Sequence, residues 1–176
     1  MRNGAHLLLE NARIDGGSLQ VGAGNTLRLA HVSSTDVMLI AEAGAAIELV
    51  NSAIGSSGGC NGSPAVLISL GGNVFQGAPP CDLPVHPSDQ QTVDLRLAEV
   101  QTVPPTAPAE VLPGSQMLGY APLSDSPILD AAIPSHCPKH DQFGAIRPEL
   151  NEPLPRCGSG AIEGPLKPVF GDGFDS

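Results

Sequence analysis

The chain has 176 residues, with eighteen acidic against eight basic side chains and a formal charge of −10. That length suits one domain with a sizeable core, and the negative balance speaks against nucleic acid or an anionic membrane, both held mainly through Lys and Arg. No apolar run approaches a membrane span, and with no Trp, one Tyr and four Phe a cleft gripping sugars by ring stacking has little to work with.

Residues 5–75 repeat with a period of twenty. Leu7, Leu27, Ile47 and Leu67 form one column, Leu9, Leu29 and Leu49 a second that breaks at Ser69, and Ile14, Ser34, Ile54 and Val74 a third. Leu19 stands over Leu39, and Gly24, Gly44 and Pro64 share a turn column where special backbone geometry is expected. Apolar residues at one parity and mixed residues at the other, as in Leu8, Arg28, Glu48 and Ile68, are the period-2 mark of strands with one buried face. No single repeat buries its own apolar face, so successive coils must stack. The predicted fold is all-β, a right-handed parallel β-helix over residues 1–75 with about three to four coils of ~20 residues. In that register Arg28 and Glu48 become outward neighbours, and Asn11, His31 and Asn51 stack as a polar ladder at a corner. His31 there reads as structural.

All eighteen prolines lie at or after Pro64, and proline repeatedly interrupts a β-ladder. Residues 76–163 are therefore expected to form an irregular cap packed on the solenoid, since a structureless stretch of that length is improbable in a compact domain. A strand is predicted at Val93–Val100, and a helical turn starting at Ser126–Pro127, where Ser caps and Pro opens the helix. Residues 164–176 read as a flexible acidic tail. A terminal coil exposes a strand edge and apolar core, and Met1–Gly4 is too short to cover the first one. Earlier coils or another chain are expected there. Ala5 to Leu9 is too short for a signal-peptide core, so the reading expects the C-terminal part of a longer exported protein.

Four cysteines in the Pro-rich half suggest two disulfides and an oxidising compartment. Three connectivities are open; Cys60–Cys81 with Cys137–Cys157 is favoured because each closes a loop of about 20 residues, worth roughly 3 kcal/mol.

The ordered segments Ser69–Phe75 (SLGGNVF), Asp125–Pro148 (DSPILDAAIPSHCPKHDQFGAIRP) and Cys157–Glu163 (CGSGAIE) together resemble the C-terminal module of bacterial choice-of-anchor Q proteins. The resemblance implies a secreted or surface-exposed Gram-negative β-helix of the pectate-lyase-like kind, with no activity generally established for the module. Leu129, Ala132, Phe143 and the pair Gly158-Ser159 depart from the family pattern. Asp141, Arg147 and Glu163 fit it, and a salt-bridged clasp among them is expected. The ending VFGDGFDS resembles a short tail of exported Gram-negative proteins and implies a sorting signal.

Chemistry is sparse. His136, Cys137 and His140 have zinc-like spacing, but Pro138 interrupts any helix and Cys137 is better placed in a disulfide, so no metal is assigned. Lyases and hydrolases on β-helices need clustered carboxylates; Glu10, Asp15, Asp36, Glu42 and Glu48 share no column. Asp172 and Asp175 offer too few oxygens for calcium, and Asp82, Asp89 and Asp94 read as loop solvation. No catalytic, cofactor or metal residue is named. The expected role is a non-catalytic structural or binding module whose partner is a glycan or a surface protein; the alternative is a fragment of a carbohydrate-active β-helix enzyme.

Overall fold

A computed structural model describes residues 4–55, 60–61, 66–98, 101–103, 117–147 and 156–164. Its strands are β1 (His6–Ile14), β2 (Ser18–Val21), β3 (Thr26–Ser34), β4 (Met38–Ala41), β5 (Ala46–Val50), β6 (Ala53–Ile54), β7 (Cys60–Asn61), β8 (Val66–Ser69), β9 (Val74–Gln76), β10 (Gln90–Thr92), β11 (Gln101–Val103) and β12 (Met117–Gly119). All pair in parallel except the β11–β12 hairpin. The fold is a parallel β-solenoid of about four coils, the β-helix predicted from the period.

Three faces make each coil. On the first, Leu7, Leu27, Ile47 and Leu67 are successive partners, and Leu9, Leu29, Leu49 and Ser69 run beside them. β3 continues around a corner, pairing β5 through Thr26–Ala30 and β6 through Ser33 and Ser34. The third face stacks β2, β4 and β7. Inward side chains alternate along each strand and change parity across the corner at His31 and Asn51: Leu27, Leu29, Val32, Leu39, Ile47, Leu49, Ile54 and Phe75 fill one buried core. Each large aliphatic buried there contributes roughly 1.5–3 kcal/mol relative to exposure.

The corner is a left-handed kink. Asn11, His31 and Asn51 have φ of 51°, 51° and 49°, a conformation Asn tolerates far better than most residues. The polar ladder expected at this position is therefore also a backbone device, turning every coil at one azimuth. At the next coil Gly71 and Gly72 follow one another at φ of 96° and 68°, and the corner takes an extra residue. That insertion corrects the predicted third column: Val74 pairs with Ala53 and Phe75, not Val74, stacks on Ile54.

Beyond Gln76 the period ends but the stacking does not, because β10 adds to β9 at a shorter offset, Gln90 opposite Val74. The strand expected at Val93–Val100 is displaced to Gln90–Thr92; its last two residues lie outside the described part, and Leu97 makes only an isolated bridge to Pro122. Ser126 accepts the Ile128 N–H at 3.3 Å and donates to the Leu95 carbonyl at 2.6 Å, a turn contact in place of the expected helix cap. No helix follows: residues 127–130 form turns, and the two helical segments among the described residues are single 3-10 turns at Pro80–Asp82 and Pro134–His136. Leu95 and Ile128 cover the outward Ala53 and Val74, so the later segments pack on the second face and on the corner. Cys137 is disulfide-bonded to Cys157, with Cα atoms 6.4 Å apart. Cys81 is also disulfide-bonded; the Cys60 side chain lies outside the described residues, as do Pro64 and the 165–176 tail with Asp172 and Asp175.

Candidate functional site

Two polar assemblies stand out, one buried and one open. The buried one grows from the corner ladder. Asn51, fully buried, accepts the Ile133 N–H on Oδ1 at 2.7 Å and donates from Nδ2 to the Ile133 carbonyl at 3.1 Å. That reciprocal pair orients the amide and ties the Pro134 turn to the solenoid. One coil below, Arg147 Nη1 lies 3.1 Å from His31 Nδ1. A guanidinium only donates, so Nδ1 holds a lone pair and Nε2 carries the proton, which it gives to the His136 carbonyl 3.1 Å away. Asn51 Nδ2, also 3.1 Å from Nε2, is then a packing neighbour with no hydrogen bond to the ring. Burial, and next the Arg147 cation, push His31 down from 6.5 to about 3, so the ring is neutral at ordinary pH.

Arg147 is 2 % exposed. Its Nη1 also donates to the Gly158 carbonyl at 2.9 Å and to Glu163 Oε2 at 2.8 Å, and its Nη2 donates to the Gly160 carbonyl at 2.8 Å. Glu163 Oε1 accepts the Gly158 N–H at 3.0 Å. Burial raises the Glu163 carboxyl to about 7 against the opposing pull of Arg147. Asp141 joins through backbone, without an ion pair to Arg147 in this arrangement: Oδ2 accepts the Glu163 N–H at 3.0 Å, and Oδ1 accepts from Phe143 and Ala145 at 2.8 Å each. The structure thus brings Asp141, Arg147 and Glu163 together and adds His31, which the sequence reading kept apart from them. The strap 157–160 threads this cluster. Gly160, at φ 91°, donates to the Asn51 carbonyl at 2.8 Å, and a Cβ there would stand 2.6 Å from Ser33 Oγ.

Asp89 corrects an expectation. Far from solvating a loop, it accepts from Ser69 Oγ and the His86 N–H on Oδ2 at 2.6 and 2.7 Å, and from both nitrogens of Asn73 on Oδ1 at 3.0 Å. It closes the corner where the extra residue enters. Asp94, also expected to solvate a loop, accepts the Arg96 N–H at 2.9 Å. Cys137 is committed to its disulfide, and neither His136 nor His140 joins a metal-competent cluster among the described residues.

The open assembly is a groove of about 440 Å³ over the outer side of the first face, walled on one flank by the His136 turn. His6, Leu8, Glu10, Arg28, Glu48 and His136 line it. Arg28 and Glu48, neighbours on adjacent coils as expected, stand 4.0 Å apart. Leu8 is 53 % exposed and gives the groove an apolar floor. Glu10 and Glu48 share no column, yet one groove holds both, because the columns Leu8–Arg28–Glu48 and Glu10–Ala30–Val50 lie side by side on the same outward face. Among the described residues no helix is long and apolar enough to cross a membrane. No family model, no curated protein and no solved structure matches this chain.

Proposed function

We propose that the chain is a non-catalytic β-helix module of a secreted or cell-surface protein, akin to the choice-of-anchor Q modules, that presents its groove to a glycan or a surface protein. The observation that carries this reading is the division of polar groups. Those with the most altered environments, His31, Arg147 and Glu163, are held inside the fold by bonds to one another and to the strap backbone, His31 and Arg147 fully buried and Glu163 with a side chain 9 % exposed. The exposed groove pairs an apolar floor with a short charge ladder, chemistry suited to holding a partner. The Cys137–Cys157 disulfide supports an oxidising destination. The test combines binding and turnover on a glycan array and on pectate, with and without calcium. Saturable binding without product, lost in Arg28→Ala and Leu8→Asp, is the expected result.

A second reading rests on one specific observation, that Glu10, Glu48 and Arg28 line the same groove. Two carboxylates beside a guanidinium are the minimum for acid–base work on a sugar. Turnover that disappears in Glu48→Gln would replace the binding module with a carbohydrate-active enzyme.

A further inference from the structure

We propose that reduction of the Cys137–Cys157 disulfide turns the corner of the solenoid into a zinc site completed by His31. A ring nitrogen of His31 and the Sγ atoms of Cys137 and Cys157 all lie within 4.8 Å of one another. His31 and Cys157 are fully buried and Cys137 is half-buried. A tetrahedral zinc takes thiolates at about 2.3 Å and imidazole at about 2.0–2.1 Å, which places its ligand atoms roughly 3.5–3.8 Å apart. Once the sulfur–sulfur bond is open, small side-chain rotations reach that spacing.

The histidine is already prepared as a ligand. Its Nδ1 holds a lone pair, and its Nε2 proton is held by the His136 carbonyl at 3.1 Å, the outer contact that metal-bound histidines usually make. The group now facing Nδ1 is dispensable there. Arg147 Nη1 has two protons and three acceptors, His31 Nδ1, the Gly158 carbonyl and Glu163 Oε2. Yielding Nδ1 to a metal leaves one Nη1 proton for each of the two remaining partners. Above about pH 7 the Glu163 carboxylate balances the Arg147 charge, and two thiolates balance that of zinc. Three protein ligands leave a fourth position for water, on the half-buried Cys137 side.

A dithiol reductant opens the bond. It donates two electrons and two protons, leaving as its own cyclic disulfide, and Cys137 and Cys157 become thiols. Zinc then binds both as thiolates and two protons are released.

The experiment uses the full chain, reduced without oxygen and titrated with cobalt(II) as an optical stand-in for zinc. Binding of one equivalent with thiolate-to-cobalt charge-transfer and tetrahedral bands, displaced by zinc and absent from the oxidised chain, is expected. Mass-mapped alkylation should show zinc shielding Cys137 and Cys157 while Cys60 and Cys81 react. His31→Gln should weaken cobalt at least tenfold. Since that variant also disturbs the corner, a hyperfine-shifted, exchangeable imidazole N–H resonance in the wild-type cobalt form reads the nitrogen ligand independently. No uptake, shielding of all four cysteines or of none, or the absence of that resonance would each overturn the proposal.

Discussion

Folding moves a proton from one side chain to another, and Glu163→Gln should reveal it. His31 is about 3 in the folded chain against an ordinary 6.5, whereas Glu163 is about 7 against an ordinary 4.5. Between roughly pH 4.5 and 6.5 the unfolded chain carries a proton on His31 and none on Glu163; the folded chain carries it on Glu163 and none on His31. The two states bind equal numbers of protons, so this pair leaves stability level across the window. Taken singly the signs oppose. The depressed His31 costs stability as pH falls below 6.5, and the raised Glu163 costs stability as pH climbs from 4.5 to 7. Glutamine keeps the shape and removes the second contribution. Stability of Glu163→Gln should then rise with pH by about 1.4 kcal/mol per unit relative to wild type, or about 2–3 kcal/mol over the window. Urea unfolding followed by far-ultraviolet circular dichroism at half-unit pH steps measures it, and contributions from other carboxylates cancel in the difference. Parallel profiles for the two proteins would refute the reasoning, because they would mean that Glu163 does not titrate there.

Three further outcomes follow from the packing. Ile47→Ala removes a fully buried side chain stacked between Leu27 and Leu67 and should cost about 2–5 kcal/mol, against less than about 1 kcal/mol for Glu48→Ala next to it; urea midpoints compare them. Asn51→Ala orphans the Ile133 N–H, while the Ile133 carbonyl keeps the His136 N–H, and should cost about 1–3 kcal/mol, with limited proteolysis cutting first near residues 126–147. Replacing Cys137 and Cys157 by serine together should lower stability by about 3 kcal/mol for a separation of 20 residues; an unchanged melting temperature would show that the corner holds the strap without it.

How far a sequence discloses such a fold depends on how local the cause is. Leu7, Leu27, Ile47 and Leu67 are legible because stacking requires like residues at a constant spacing, and twenty residues are one circuit of the coil. Arg28 opposite Glu48 follows from the same spacing. The Val74 column failed by one residue because nothing in the spacing reveals that the Gly71–Gly72 corner absorbs an insertion. Asp89 departs from expectation for a related reason: a loop acid looks solvated until folding returns it to Ser69 and Asn73, twenty and sixteen residues earlier in the chain.

The stacked columns, the outward charge pair and the polar corner are thus written in the chain itself, since each arises from repetition along it. The meeting of His31 with Arg147, 116 positions away, is not. It needs the later segments to fold back over the corner, where burial removes water, holds the His31 ring neutral beside the Arg147 cation and raises the Glu163 carboxyl. Only tertiary structure creates that low-dielectric setting, so only tertiary structure decides which of these side chains carries charge.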